Sequence, residues 1–304
     1  MANDLKHGSQ GTQAKTIPLQ HDNVAKGIFF ILLSALGFAA MTLFVKLAGD
    51  IGPMQKTFFR NIVAALVAYF MLRKSGQQLA WPKSSGALLV LRSVLGTLGI
   101  LLNFYSVDHL LLGDANILQK ISPFVIIILS AALFKERITK FQLLCLCLGF
   151  IGIAFVVRPS GTQIISLGAA AAIVGAICAG SAYTCVRGLA KQGVAGSFIV
   201  FFFSAFSVVV LAPYVITHYE AMSAYQWLMM LGIGLSSALG QFGITYGYAY
   251  APAKSVSVFE YMQVVFAALF GFIFFAEIPD LYSWIGYALI SGVGIAMILK
   301  GAKK

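Results

Sequence analysis

Long apolar runs separated by short polar segments fill the chain from residue 27 almost to its C-terminus. Each run is close to the ~20 residues that an α-helix needs to cross the hydrocarbon core of a bilayer. Little sequence remains between the runs, so no water-soluble domain fits beyond the first 26 residues. The pattern predicts an all-α membrane protein whose ten transmembrane helices lie at residues 27–48, 54–73, 86–107, 112–134, 140–157, 166–190, 195–217, 225–250, 253–276 and 281–300.

The second half of the chain repeats the first. At an offset of about 141 positions, Phe134 aligns with Phe275, Glu136 with Glu277, and Gln119–Lys120 with Glu260–Tyr261. Each half holds five predicted helices, an odd number, so the second half must enter the membrane from the opposite side. We therefore predict an inverted repeat of two five-helix bundles, residues 27–158 and 159–300, with a disordered cytoplasmic tail at 1–26 and a short one at 301–304.

Composition and charge support a membrane protein and exclude a soluble fold. The chain is 60% hydrophobic and 10% charged. A net charge of +11 would suggest a nucleic-acid partner in a soluble protein, but here most Lys and Arg flank apolar runs, where they set topology. With the N-terminus inside, fifteen of them lie on the cytoplasmic side and three outside. We expect a multi-pass protein of the cell inner (plasma) membrane with both termini cytoplasmic and no nucleic-acid partner.

Neither the cysteines nor a search for nucleotide-binding motifs indicates a metal site or an ATPase. Cys145, Cys147, Cys178 and Cys185 lie inside apolar runs without a nearby His, so we interpret them as packing residues. No G-x-x-x-x-G-K-[ST] loop for ATP is present. We expect no cofactor, no metal site and no catalytic residue.

Two charged residues at depth are the strongest candidates for a site. Lys120 lies about eight residues into the fourth predicted helix, and Glu260 about seven residues into the ninth. A charge near the bilayer centre costs roughly 2.5 to 3.5 kcal/mol, so each must face a cavity or a partner. We expect Lys120 and Glu260 to face each other across a water-accessible central cavity. The alternative is a purely structural ion bridge between them.

Further polar residues share these helix faces or lie at equivalent repeat positions. The additional candidates for substrate binding are Asn116, Gln119, Ser257, Tyr105, Tyr246, Tyr261, Gln263, Arg60, Arg92 and Asn103. Arg60 and Arg92 could instead extend toward the membrane surface. Counted with Lys120 against Glu260, they make the interior positive, which favours a substrate with a carboxylate or phosphate, including a zwitterion such as an amino acid.

Motifs in the first half resemble a known family signature. The run YSVDHLLLGDAN from Tyr105, the pair Ser122–Pro123 and the segment FKERIT from Phe134 resemble the drug/metabolite transporter superfamily, EamA type. The resemblance continues through the second half, where Val264 replaces the proline. It implies a ten-helix carrier with an inverted repeat and a central cavity, and architectural roles for Ser122, Pro123 and Glu136. Lys120 and Glu260 are not general features of that signature.

The favoured function is therefore a secondary transporter that moves a small organic metabolite by alternating access. Its expected partners are a small-molecule substrate and the lipid bilayer, and it would act as a monomer or homodimer. The alternative is a membrane-embedded enzyme acting on a lipid-linked substrate, for which Asp108, His109 and Asp114 form a loose cluster near the outer face. A channel would require rings of like charge, which the sequence does not provide.

Overall fold

The computed structural model describes residues 23–76, 81–82, 84–110, 117–157, 166–276 and 278–301, apart from the side chains of residues 104, 107, 108 and 301. Every regular element in these ranges is helical, which confirms the predicted all-α membrane fold. The ten spans are α1 Val24–Leu47, α2 Pro53–Lys74, α3 Gly86–His109, α4 Ile117–Phe134, α5 Lys140–Val157, α6 Leu167–Lys191, α7 Gly196–Thr217, α8 Ala224–Tyr250, α9 Ala253–Phe275 and α10 Leu281–Gly301.

Hydropathy separates one span from the others. Within the described ranges, nine helices are long and apolar enough to cross a membrane. The remaining span, α2, carries Lys56, Arg60, Arg73 and Lys74, which lower its mean hydropathy.

Side-chain caps define the starts of two helices. The Asn23 side chain caps α1 by accepting from Lys26 N at 3.0 Å, and Ser223 and Gln226 form a capping box at α8.

The two halves are related by a pseudo-twofold arrangement. Helix α1 packs along α8 in the way that α3 packs along α6, and α2 pairs with α7 as α5 does with α10. At the start of α1, Asn23 N donates to Tyr250 O at 2.8 Å; near the end of α6, Arg187 Nη1 donates to Ala249 O at 3.1 Å. The start of α1 and the end of its counterpart α6 thus lie beside the same terminus of α8. Equivalent helices run in opposite directions, and the predicted inverted repeat is confirmed.

Glycines allow close approach in the two equivalent helix pairs. A Cβ added to Gly37 of α1 would lie 2.6 Å from Gly240 N of α8. One added to Gly99 of α3 would lie 3.2 Å from Gly175 O of α6. Small residues at such crossings let membrane helices pack backbone against backbone. These two tight pairs form much of the wall around the centre of the bundle.

Replacing Gly243 with alanine should destabilise the protein. Its Cβ would lie 2.6 Å from Ser34 N and 2.7 Å from Phe30 O, and these backbone atoms cannot move aside cheaply. Overpacking of this kind costs about 1–3 kcal/mol, which should lower the unfolding temperature measured in detergent. Gly292→Ala is the matched control, because no heavy atom lies within 4 Å of its added Cβ. Equal unfolding temperatures for the two variants would contradict the α1–α8 packing described.

Spans α4 and α9 are interrupted at equivalent places. In α4, a turn at Lys120–Ile121 precedes the regular helix Ser122–Phe134. In α9, a 3-10 segment at Ser257–Tyr261 separates Ala253–Val256 from Met262–Phe275. The sequence pattern predicts continuous helices here, because apolar periodicity does not report a local break. Pro123 explains the first interruption, since it lacks the N–H that would bond to the carbonyl of Gln119 in a continuous helix. The second interruption contains no proline.

Candidate functional site

A cavity of about 180 Å³ lies at the centre of the bundle. Eight spans contribute to its wall, and only the α5–α10 pair does not. The volume is large enough to hold several water molecules. Both helix interruptions reach this cavity, because Lys120 and Glu260 line it. Discontinuous helices at matching positions of two inverted repeats are typical of binding sites in membrane carriers.

Lys120 and Glu260 are held by separate partners. Lys120 Nζ donates to Gln263 Oε1 at 2.8 Å, and the Glu260 carboxylate accepts from the Tyr248 hydroxyl. Both residues belong to the described part of the chain, and no ion pair joins them there. The structural bridge considered as an alternative is therefore not formed. Each charged group thus lies at the cavity wall with a neutral hydrogen-bond partner.

Two arginines also line the cavity. Arg60 is 8% exposed and donates from Nε to Ser237 Oγ; Arg92 is 1% exposed and donates from Nη2 to Gln241 Oε1 at 3.3 Å. Ser237 and Gln241 lie one turn apart on α8, so a single helix face positions both guanidinium groups. Neither arginine extends to the membrane surface. Both arginine side chains are buried inside the bundle, so the alternative in which they extend outward is not observed.

The Arg92 guanidinium also lies over an aromatic ring, with Cζ 3.8 Å from the centroid of Phe203. A cation over a ring face is favourable by about 2 kcal/mol when the pair is desolvated. The Arg92 Nε is buried and has no hydrogen-bond partner among the described residues. This donor therefore remains unsatisfied at the cavity.

The cavity lining is electropositive. It contains Arg60, Arg92 and Lys120 against the single carboxylate of Glu260. Within the described ranges, neither arginine forms an ion pair with an acidic side chain. A buried charge without a counter-ion is costly, so the lining is suited to a ligand that brings negative charge.

The remaining predicted residues divide into two groups. Gln119, Gln263 and Asn103 line the cavity, as do the four charged residues. Four others lie outside the lining, and two of them, Ser257 and Tyr261, are buried. The Tyr261 ring packs against Gly149. Tyr105 stacks on His109 with centroids 4.0 Å apart, and Tyr246 packs against Phe30 and Tyr250. Asn116 lies outside the described residues.

Several functional side chains do not follow from the sequence analysis. Tyr183 and Gln241 line the cavity, and Tyr248 donates to Glu260. Gln241 carried a usable signal, because an amide in the interior of an apolar span must also find a cavity or partner. Tyr183 and Tyr248 carried none, since tyrosines in a membrane helix ordinarily pack in the core or at an interface.

A buried ion pair joins the end of α4 to the end of α6. Arg187 Nη2 lies 3.5 Å from Glu136 Oε1, and the two side chains are 3% and 9% exposed. The chain reaches Glu136 through Lys135, which has a left-handed φ of 55°. Nearby, Lys254 Nζ donates to Arg137 O at 3.0 Å. These contacts join the end of α4 to α6, α8 and the start of α9.

Comparison with known proteins identifies the same architecture. The model of the EamA-like transporter family matches residues 25–158 and again residues 166–300. A solved crystal structure aligns with a TM-score of 0.78 at 17% sequence identity, covering 90% of this chain and 97% of that one. At this identity the structural match supports the fold alone.

Curated relatives of the chain are membrane transporters. The pseudopaline exporter CntI of Pseudomonas aeruginosa is 30% identical over 278 residues, spanning 91% of this chain and 97% of that protein. Human solute carrier family 35 member G1 is 29% identical, spanning 89% and 79%. A riboflavin transporter of Brucella anthropi is 26% identical, spanning 79% and 86%.

Proposed function

The chain belongs to the EamA-like transporter family, and we propose that it is a secondary transporter that moves a small organic anion or zwitterion across the inner membrane by alternating access. The observation that carries the proposal is the central cavity with Arg60, Arg92 and Lys120 on its wall and one carboxylate, Glu260. A ligand that presents a carboxylate or phosphate would supply the counter-charge that the described lining lacks.

An amino acid or a related carboxylate suits the distribution of charge. Its carboxylate would bind Lys120 or the guanidinium groups, and an ammonium group would bind Glu260. Hydrogen bonds to charged groups contribute about 1.5–3 kcal/mol each, so two or three of them support micromolar to millimolar binding. The Tyr248 hydroxyl that donates to Glu260 keeps one carboxylate oxygen engaged and orients the group.

The arrangement of the spans supports alternating access. Inverted repeats around a mid-bundle site allow the two halves to exchange conformations, opening the site to either side in turn. The buried Glu136–Arg187 pair joins the two repeats at one end of the bundle, where it would hold them together in one of the two conformations. The distribution of Lys and Arg in the loops favours assigning that end, with both chain termini, to the cytoplasm.

Transport by purified protein in liposomes tests the proposal. The panel pairs each amino acid with the amine that lacks its carboxylate, and adds dicarboxylates, phosphate esters and neutral sugars. We expect exchange of at least one carboxylate or phosphate compound, with no exchange of the matched amine, because only the anion meets Arg60, Arg92 and Lys120. Folded protein that exchanges the amines as well as the acids, or that is inert toward every anion, would overturn the proposal.

A further inference from the structure

A second cavity lies at the end of the bundle where α1 begins and α10 ends. Its volume is about 530 Å³, and it is formed by the first turns of α1, α5 and α9 and the last turn of α10. The α5–α10 pair takes no part in the central cavity, so this site is peripheral to the transport route. We propose that it binds the phosphodiester headgroup of an anionic phospholipid.

Two lysines make the polar side of this cavity positive. Lys254 Nζ donates to Arg137 O at 3.0 Å, and Lys300 Nζ lies over the Phe141 ring at 3.8 Å from its centroid. In the part of the chain that the structure describes, neither lysine has a carboxylate partner. The first turns of α1 and α5 also contain no acidic residue, so the positive ends of these helix dipoles are not offset locally. The site is therefore suited to a phosphate.

The rest of the lining indicates a lipid rather than a free anion. Ile28, Phe141 and Met297 form an apolar wall next to the lysines. Ile298 of α10 also lines the cavity and is exposed, as are Leu299 of α10 and Leu144 of α5. An inorganic phosphate would leave this apolar surface uncovered, whereas a phospholipid covers it with acyl chains. Basic cavities between transmembrane helices recognise anionic lipid headgroups through this combination of features.

Native mass spectrometry of the full chain in a neutral detergent tests the lipid site. The protein is titrated with phosphatidylglycerol and with phosphatidylcholine of the same acyl composition. We expect one phosphatidylglycerol to bind in preference to phosphatidylcholine. Each lysine near the headgroup contributes about fivefold in affinity, so the Lys254→Ala/Lys300→Ala variant should bind roughly 25-fold more weakly. Lys191→Ala is the control, because Lys191 also lies over a ring, that of Phe134, without lining this cavity.

A variant that keeps Lys254 and Lys300 tests whether lipid binding depends on the shape of this cavity rather than on positive charge alone. Met297→Trp fills the cavity and should also weaken binding of phosphatidylglycerol, with size-exclusion chromatography confirming that each variant remains folded. Should the double-lysine variant fail to fold, the single lysine variants and Met297→Trp decide the matter. Equal binding of the two lipids, an unaffected Met297→Trp variant, or full competition by inorganic phosphate at the same concentration would overturn the proposal. Because no transport substrate is present, the outcome is independent of the proposed function.

Discussion

Replacing Lys120 with alanine should lower the transport rate by about 10- to 100-fold. The ammonium group lies at the cavity wall on the interruption of α4, where it donates to Gln263 Oε1 at 2.8 Å. A charged hydrogen bond to the substrate contributes about 1.5–3 kcal/mol, and each 1.4 kcal/mol corresponds to a factor of ten. Glu260→Ala should have an effect of similar size and would also leave the Tyr248 hydroxyl without its acceptor. Initial exchange rates in liposomes measure both.

Tyr105→Phe is the matched control for these two variants. Tyr105 stacks on His109 and does not line the central cavity, so its transport rate should stay within about twofold of the wild type. Lys120→Arg keeps the charge and should retain more activity than Lys120→Ala. Wild-type transport by both Lys120→Ala and Glu260→Ala, in protein that inserts normally, would remove the two residues from the substrate site.

Replacing Arg187 with alanine should destabilise the folded protein by about 3–5 kcal/mol. Removal of the guanidinium leaves the Glu136 carboxylate buried without this cation, and it also takes a donor from Ala249 O at the end of α8. Breaking one side of a buried ion pair carries a penalty of this size because the remaining charge stays desolvated. The expected result is a clearly lower unfolding temperature in detergent.

A double-variant cycle distinguishes loss of the pair from loss of packing. Glu136→Ala should also be destabilising, while Glu136→Ala/Arg187→Ala should cost less than the sum of the two single changes, because no isolated charge remains. Arg73→Ala is the control, since Arg73 is exposed and, among the residues that the structure describes, donates to Tyr69 of its own helix at 3.0 Å. Strict additivity of the two single changes would contradict an energetic coupling between Glu136 and Arg187.

The fold was largely predictable because the same five apolar runs occur in both halves of the sequence. The bounds of the ten spans agree with the predicted ranges to within a few residues wherever the structure describes them. The odd number of helices per repeat predicted the opposite orientation of α1 and α6, which the shared neighbourhood at the end of α8 confirms. The interruptions were not predictable from periodicity, because hydropathy is averaged over windows longer than one turn.

The free-energy cost of burying a charge in the membrane was the best predictor of the cavity residues. It predicted that Lys120 and Glu260 face a cavity, because a charge at depth has few alternatives to a cavity or a partner. It left Arg60 and Arg92 open between the cavity and the membrane surface, and the structure places both arginines in the lining. Helical spacing was a poorer guide near the break. Residues from Ser257 to Tyr261 form a 3-10 segment with 3.0 residues per turn, so about 20° of rotation per residue separates them from their expected directions. Within this segment Glu260 lines the cavity, whereas Ser257 and Tyr261 do not.

The two interruptions differ in one covalent respect. Pro123 fixes its own φ and lacks an N–H, so the backbone loses one helical hydrogen bond at the break in α4. The break in α9 has Val264 at the corresponding position, and only tertiary contacts hold it. An unbroken helix should therefore cost about 3 kcal/mol more in the first span than in the second, because only the first would place a proline in its interior. We expect strain from a bound solute to be relieved mainly at the break in α9.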